Sequence, residues 1–355
     1  MSKEDPRKVF GRRLEQARLM RGLSLRELAE ATGGKVSYNA LHRYERGDMM
    51  PGDDVLMAVA DVLDKPLDFF FRPFAVELQE VEFRKKARLS PKLEESIRER
   101  ALDFFERYLE IEQILGISGV FKNPLENLDV ASPEQAETAA EMIRAEWGLG
   151  KDPLPNVLQM LETNGIKTLT VEAPDSFDGF SGWADGHPVV VIAEWLNRDL
   201  PRKRFTTMHE VAHILIRPSC SLSKDQERSC DRFAGAVLMP RESFEGDLGG
   251  YRRRVSLEEL KDLKSRWGVS IAAIVHRAYD LGFIEESLYH QFFRAYNAAG
   301  YRRSGEPGEY KGTEASSRFE QLVLRATVEN TISESKGAGL LNEPLVEFKD
   351  RLRFS

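Results

Sequence analysis

The stretch FTTMHEVAHI, residues 205–214, carries two histidines four residues apart with a glutamate beside the first. On an α-helix His209 and His213 fall one turn apart on one face, so both imidazoles can reach a single ion. Glu210 falls to the side of that pair. From there its carboxylate can take a proton from water activated by the ion and pass it to a leaving amine. Zinc suits this chemistry, because it brings the pKa of water toward neutrality and polarises a scissile carbonyl. Two structural histidines on a core helix would give the same spacing without chemistry, and a third ligand separates the two readings. Fourteen residues after His213 comes Glu227, with Asp231 four residues further on. In KDQERSCDRFAGAVLMP the apolar Phe233, Ala234, Val237 and Leu238 mark a helix, on which Glu227 and Asp231 share a face. Glu227 can complete a tetrahedral set while Asp231 accepts the N–H of a ligand histidine and fixes its tautomer. Cys220 and Cys230 flank the region but lie ten residues apart, which is no CxxC unit, and plain thiols are the simpler reading.

The helix that must present the histidines starts at Asp199 and Pro201. It continues through an apolar stripe of Phe205, Met208, Ala212, Leu215 and Ile216 until Pro218 prevents continuation. Two β-rich runs precede it, GIKTLTVE (165–172) and HPVVVIAE (187–194). The intervening APDSFDGFSGWADG has the composition of a turn. His187 in this region suits either an oxyanion contact or a surface turn, His276 suits helix packing, and His42 and His290 carry no signal of their own.

The pattern R-x-R-F-T-x-x-H-E-x-x-H from Arg202 to His213, followed by E-x-x-x-D-x-F-A-x-x-x-L-M-P from Glu227 to Pro240, resembles the ImmA/IrrE family of zinc-dependent peptidases. Known members of that family act by cutting repressor proteins in bacteria and phages. The resemblance covers about residues 135 to 275. It implies Zn2+ held by His209, His213 and Glu227, with Glu210 as general base and Asp231 behind the ligands. The chain departs from the family pattern at Ser229 and Cys230. In gluzincin-type enzymes an edge strand binds extended substrate backbone, and Asp178, Gly179, Ser181 and Gly182 stand where that edge would capture a peptide.

Net charge is −7, which argues mildly against nucleic-acid binding by the whole chain. The average hides an asymmetry, because residues 1–46 contain eleven Lys/Arg against six Asp/Glu. Within this basic segment Val9, Phe10, Leu14, Ala17 and Met20 recur at helical spacing until Gly22. Ser24 and Glu27 form a capping box that opens LRELAEAT, and Gly33-Gly34 ends it. VSYNALHRYERG then turns Val36, Ala40, Leu41 and Tyr44 inward and Ser37, Tyr38, Asn39, His42 and Arg43 outward, and DDVLMAVADVL completes the bundle. Two short helices joined by a glycine turn, the second presenting polar groups from its first half, meet the requirements of a helix-turn-helix.

SLRELAEATG and VSYNALHRYERGDMMPGDDVLMAVADVL, with Glu45, Gly47 and Pro51 as E-x-G-x-x-x-P, resemble the Xre/Cro-type family of phage-repressor-like domains. That resemblance places Ser37, Tyr38, Asn39 and Arg43 against bases or phosphates and has Glu45 orient the bundle. Arg12, Arg13 and Lys35 look like phosphate clamps.

These readings give an α+β, mostly helical protein. An N-terminal four- to five-helix HTH bundle (1–72) is followed by a helical connector (73–129). Its amphipathic helix, capped at Ser90, suits either a dimer seam or packing on its own domain, and the basic tract EFRKKARLSPK suits a solvated surface. Next come a gluzincin-like metallopeptidase domain with a small β-sheet and the HExxH helix (130–295) and a C-terminal extension without assigned chemistry (296–355). No apolar run approaches a membrane span, the charged N-terminus lacks the apolar segment of a signal peptide, and two cysteines suit a reducing compartment, so a cytoplasmic protein without a membrane partner is expected. The expected partners are a double-stranded DNA operator, a protein substrate that is itself a repressor or regulator, and a second copy in a homodimer. A transcription factor whose metallopeptidase-like domain only senses a metal or ligand is the alternative, with an antitoxin-like component as a more distant one.

Overall fold

The structure is a computed structural model and describes residues 5–73, 76–83, 89–117, 119–216 and 224–353. Pro218, Cys220 and residues 84–88 of the basic tract lie outside them. The described parts of 1–79, 85–118 and 326–355 form one compact unit, and those of 80–84 and 119–325 form another.

In chain order the first elements are α1 (Pro6–Met20), α2 (Leu25–Ala31), α3 (Tyr38–Glu45), α4 (Asp53–Leu63), β1 (Leu78–Phe83) and α5 (Pro91–Ile114). Then follow α6 (Pro133–Glu146), α7 (Val157–Thr163), β2 (Lys167–Val171), β3 (Gly179–Ala184), β4 (His187–Ala193), α8 (Leu200–Leu215) and α9 (Lys224–Leu238). The remainder is α10 (Arg241–Leu248), α11 (Leu257–Trp267), α12 (Ile271–Asp280), α13 (Glu286–Ala298), α14 (Tyr301–Ser304), α15 (Arg318–Val328), α16 (Glu334–Leu341) and α17 (Leu345–Leu352). The fold is therefore mostly helical with one small sheet.

In the first unit α1 to α4 close around Phe10, Leu14, Ala17, Leu28, Leu41 and Leu63. The capping box of Ser24 and Glu27 is formed, and Ser37 caps α3 through its Oγ. Glu45 accepts two hydrogen bonds from Arg18, Nε at 2.6 Å and Nη2 at 2.9 Å, which ties α3 to α1. Gly11 allows this crossing, since a Cβ there would lie 2.4 Å from the Glu45 carbonyl oxygen. Gly47 ends α3 with a φ of 72°.

Arg13 departs from its expected role as a phosphate clamp. Successive helical residues are rotated by about 100°, so Arg12 is exposed while Arg13 is fully buried. The Arg13 guanidinium donates to Glu106 of α5 at 2.6 and 3.2 Å, to Gln16, and to the carbonyls of Arg72 and Pro73. No donor is left facing a phosphate. Glu106→Gln is expected to weaken this unit by about 1.5–3 kcal/mol, the worth of a buried bond to a charged group. Chemical unfolding monitored by helical signal checks this.

The division is not the consecutive one expected from the sequence. The helix assigned to a connector, α5, buries Ile97, Ala101, Phe105, Tyr108 and Ile111 and packs on α1. The end of the C-terminal extension also joins this unit, with α16 packed on α5 and α17 on α16.

In the second unit the sheet order is β1-β3-β4-β2, with β2 parallel and β3 antiparallel to β4. Val189 to Ala193 of β4 are buried on both faces, hence an unbroken apolar run. The segment read as a turn contains β3, and the reversal is confined to Asp185 (φ 47°) and Gly186 (φ 77°), a two-residue hairpin turn. Glycine stands in β3 because the backbone is crowded, a Cβ on Gly179 meeting the Val191 carbonyl oxygen at 2.7 Å. With β1 beside it, β3 is not the expected edge strand. On the other flank of the site, α8 packs on β3, β4 and α9, and α6 packs on α9.

Candidate metal centre and nucleic-acid interface

Helix α8 begins as its sequence predicts. Asp199 caps it, and its first turn is held by buried cations: Lys203 Nζ donates to Asn197 Oδ1 and the Glu314 carbonyl, both at 2.8 Å, while Arg204 pairs with the Glu314 carboxylate. Arg202 donates to both oxygens of Asp178 at 2.9 Å. Beyond these anchors Met208, Val211, Ala212 and Leu215 are fully buried, which fixes the rotation of the helix and directs His209 and His213 toward α9.

Helix α9 is fixed from its other side. Arg232 Nε donates to Glu137 of α6 at 2.8 Å, and Arg277 of α12 donates to the same carboxylate and to the Met239 carbonyl. Burial alone would raise the Glu137 carboxyl, but the two guanidinium groups outweigh it and hold it below its ordinary value. A carboxylate with a lowered folded-state pKa stabilises above its unfolded pKa, and this clamp loosens as the solution is acidified through the lowered value. Leu238-Met239-Pro240 ends α9, buries Leu238 and Met239, and starts α10.

Between the two helices three side chains converge. Nε2 of His213 is 3.1 Å from Nε2 of His209, which is 3.4 Å from Glu227 Oε2, and Glu227 Oε1 is 3.6 Å from Nε2 of His213. Zinc bonds of 2.0–2.2 Å in a tetrahedron place ligand atoms about 3.3 to 3.6 Å apart, so the spacing and the two-nitrogen, one-carboxylate set fit such an ion. His209 is buried and Glu227 half exposed, leaving one side of the cluster open.

Asp231 Oδ1 lies 2.7 Å from Nδ1 of His209. A carboxylate there holds the proton on Nδ1 and leaves Nε2 its lone pair for an ion. Asp231→Asn is expected to weaken zinc affinity by about 10- to 100-fold, read by competition with a chelating dye. Cys230, one of the two departures from the family pattern, is buried with Sγ 3.8 Å from Nδ1 of His213. Glu210 is buried and accepts a hydrogen bond from Ser181 Oγ of β3 at 3.2 Å. The pairing of Gly179, Ser181 and Gly182 with β4 thus does more than present backbone: it puts a hydroxyl on the expected base. His187 lies three residues from the level of Ser181, about 10 Å along the sheet. His276 packs as expected, its Nδ1 2.8 Å from the Tyr289 hydroxyl oxygen.

On the first unit Tyr38, Asn39, His42 and Arg43 are exposed on α3, with Ser37 at its N-terminus and Lys35 on the loop before it. Ser37 Oγ accepts from the Ala40 N–H at 3.2 Å, so its own proton can still be donated to a phosphate. Tyr38 stacks on His42, and Arg26 of α2 lies over its ring at 5.8 Å. Arg26 had no distinguishing signal in the sequence, because only the crossing of α2 and α3 brings it to this face.

Residues 14–70 match the family model for a helix-turn-helix, and residues 162–279 match the one for an IrrE N-terminal-like domain. The second match contains α8, α9 and every residue of the metal cluster. A search of curated proteins finds no match to this chain.

Proposed function

We propose that this chain, which joins an Xre-type helix-turn-helix domain to an IrrE N-terminal-like, metallopeptidase-like domain, is a cytoplasmic transcriptional regulator with a zinc-dependent endopeptidase site. The convergence of His209, His213 and Glu227 around one point carries the reading. An intact Glu210 nearby favours hydrolysis over metal sensing, because a pure binding site has no use for a proton shuttle.

When bound, zinc supplies Lewis acidity toward a scissile carbonyl and acidifies the attacking water. The chain's own residues do the rest. Glu210 receives the proton of that water and delivers it to the leaving amine. Ser181 holds the carboxylate in place through Oε2. Asp231 keeps His209 in the tautomer that donates Nε2. The proposed substrate is a peptide bond in a repressor or other regulator.

The first unit takes a double-stranded operator, with Ser37, Tyr38, Asn39 and Arg43 at bases or adjoining phosphates and Arg12 and Lys35 on phosphates. A homodimer on two half-sites suits this mode. No described helix is long and apolar enough to cross a membrane. The deciding experiment incubates parent and Glu210→Gln proteins of equal zinc content with regulators encoded beside them. Cleavage by the parent alone supports the reading, while equal transcriptional behaviour of both without cleavage favours a sensor.

A further inference from the structure

The first unit holds a cavity of about 270 Å³ that neither the DNA-reading face nor the metal cluster uses. Three segments far apart in sequence build it: the chain from Lys65 to Arg72 just after α4, the middle of α5, and α16 with its cap Ser333. Lys65, Arg72, Arg107 and Lys336 line it against the carboxylates of Asp68 and Asp103.

Three of these cations are matched. Arg72 Nη2 donates to Asp103 Oδ1 at 2.9 Å, and Arg107 reaches Asp103 Oδ2 at 3.2 Å. Lys336 Nζ donates to Glu110 Oε1 at 2.6 Å. Lys65 differs. Its side chain is only 9% exposed, and its Nζ has no hydrogen bond among the described residues. Its nearest carboxylate oxygen, Asp103 Oδ2, is 4.0 Å away and already engaged by Arg107. Its other neighbour is the face of Phe69, 5.1 Å from Nζ, over which Arg13 and Arg72 also lie. Burial lowers the pKa of this ammonium, with Asp103 and Asp64 opposing and Arg107 and Arg72 adding to the shift.

The Lys65 ammonium has one carboxylate oxygen, 4.0 Å away and shared with Arg107, and it borders a space with room for several heavy atoms. We propose that the cavity binds a small oxyanion, a phosphate or short carboxylate, with Lys65 as its direct ligand. Ser333, whose Oγ accepts from the Lys336 N–H at 3.2 Å, keeps a hydroxyl proton to donate. The volume lies just below the roughly 300–1,000 Å³ of drug-sized pockets, which suits a small anion or the anionic end of a larger ligand.

The test titrates the full-length protein calorimetrically with inorganic phosphate and, separately, with succinate, at ionic strength matched by chloride. Parent, Lys65→Met and Lys65→Arg proteins are compared. The parent should bind at least one of the two anions saturably. Lys65→Met should bind it about tenfold more weakly, the loss of one charge-assisted bond, and Lys65→Arg should retain most of the affinity. Binding of phosphate alone identifies a phosphoryl group, and of succinate alone a carboxylate. In chloride, Lys65→Met should melt no lower than the parent, because Arg72 and Arg107 still hold Asp103. No binding by the parent, or equal affinity in Lys65→Met, overturns the proposal. A Lys65→Met protein that melts lower in chloride overturns it as well, since Lys65 would then be a structural partner of Asp103.

Discussion

Glu210→Gln is expected to keep its zinc and lose about 10²- to 10⁴-fold in peptide hydrolysis, the usual worth of a positioned general base. The substitution is nearly isosteric. Glu210 is buried, and the Cβ that a side chain at Gly179 would carry comes within 3.7 Å of its Cγ, so the pocket tolerates an amide of the same shape better than any longer or shorter group. Ser181 can donate to the amide oxygen as it does to the carboxylate. Only the capacity to accept and return a proton is lost. The three candidate ligands are other residues, so metal content measured by elemental analysis should match the parent. Hydrolysis by the variant at the parental rate would remove Glu210 from the chemistry. A variant that also lost its zinc would place the carboxylate among the ligands.

The double substitution Asn39→Ala and Arg43→Ala should abolish sequence-specific DNA binding while leaving the fold intact. The two residues are four apart on the exposed side of α3, so they can address neighbouring bases. Asn pairs with the adenine edge and Arg with the guanine edge, each worth about 1–3 kcal/mol of discrimination. Loss of both therefore costs about 30- to 10⁴-fold on the preferred duplex. Phosphate contacts from Arg12 and Lys35 do not depend on sequence, and a weak, salt-sensitive affinity for any duplex should remain. The assay is a gel shift on duplexes selected by the parent from a random pool, with helical content measured in parallel. Unchanged affinity would move the reading surface away from α3.

Much of this protein is written locally. Helices α1 to α4 end where glycines and caps end them, because capping and the 3.6-residue period act within a turn or two of the chain. The spacing of His209 and His213 is of the same kind, one helical turn being enough to set two imidazoles side by side. The distance from His213 to Glu227 is not local. Here the helical reading of the following segment and the resemblance of its motif pointed to the residue, and the packing of α8 on α9 brings it within 3.6 Å.

The misread positions share a cause. Arg13 looks like its neighbour Arg12 until Glu106, 93 residues away, pairs with it in the core. Gly179–Ala184 looks like a turn because the glycine that a crowded strand needs is also a turn residue, and only the pairing with β4 distinguishes the two. Lys65 carries no pattern at all, and its place at the cavity wall is created by α5 and α16 closing around it.

The sequence by itself determined the helices, their caps, the one-turn histidine pair and the polar face of α3, since each depends on residues within a few positions of one another. Only the tertiary structure decided which charges are buried, which strand adjoins the expected base and where the chain's end packs. Those outcomes depend on segments up to hundreds of residues apart, whose mutual burial no short-range period records.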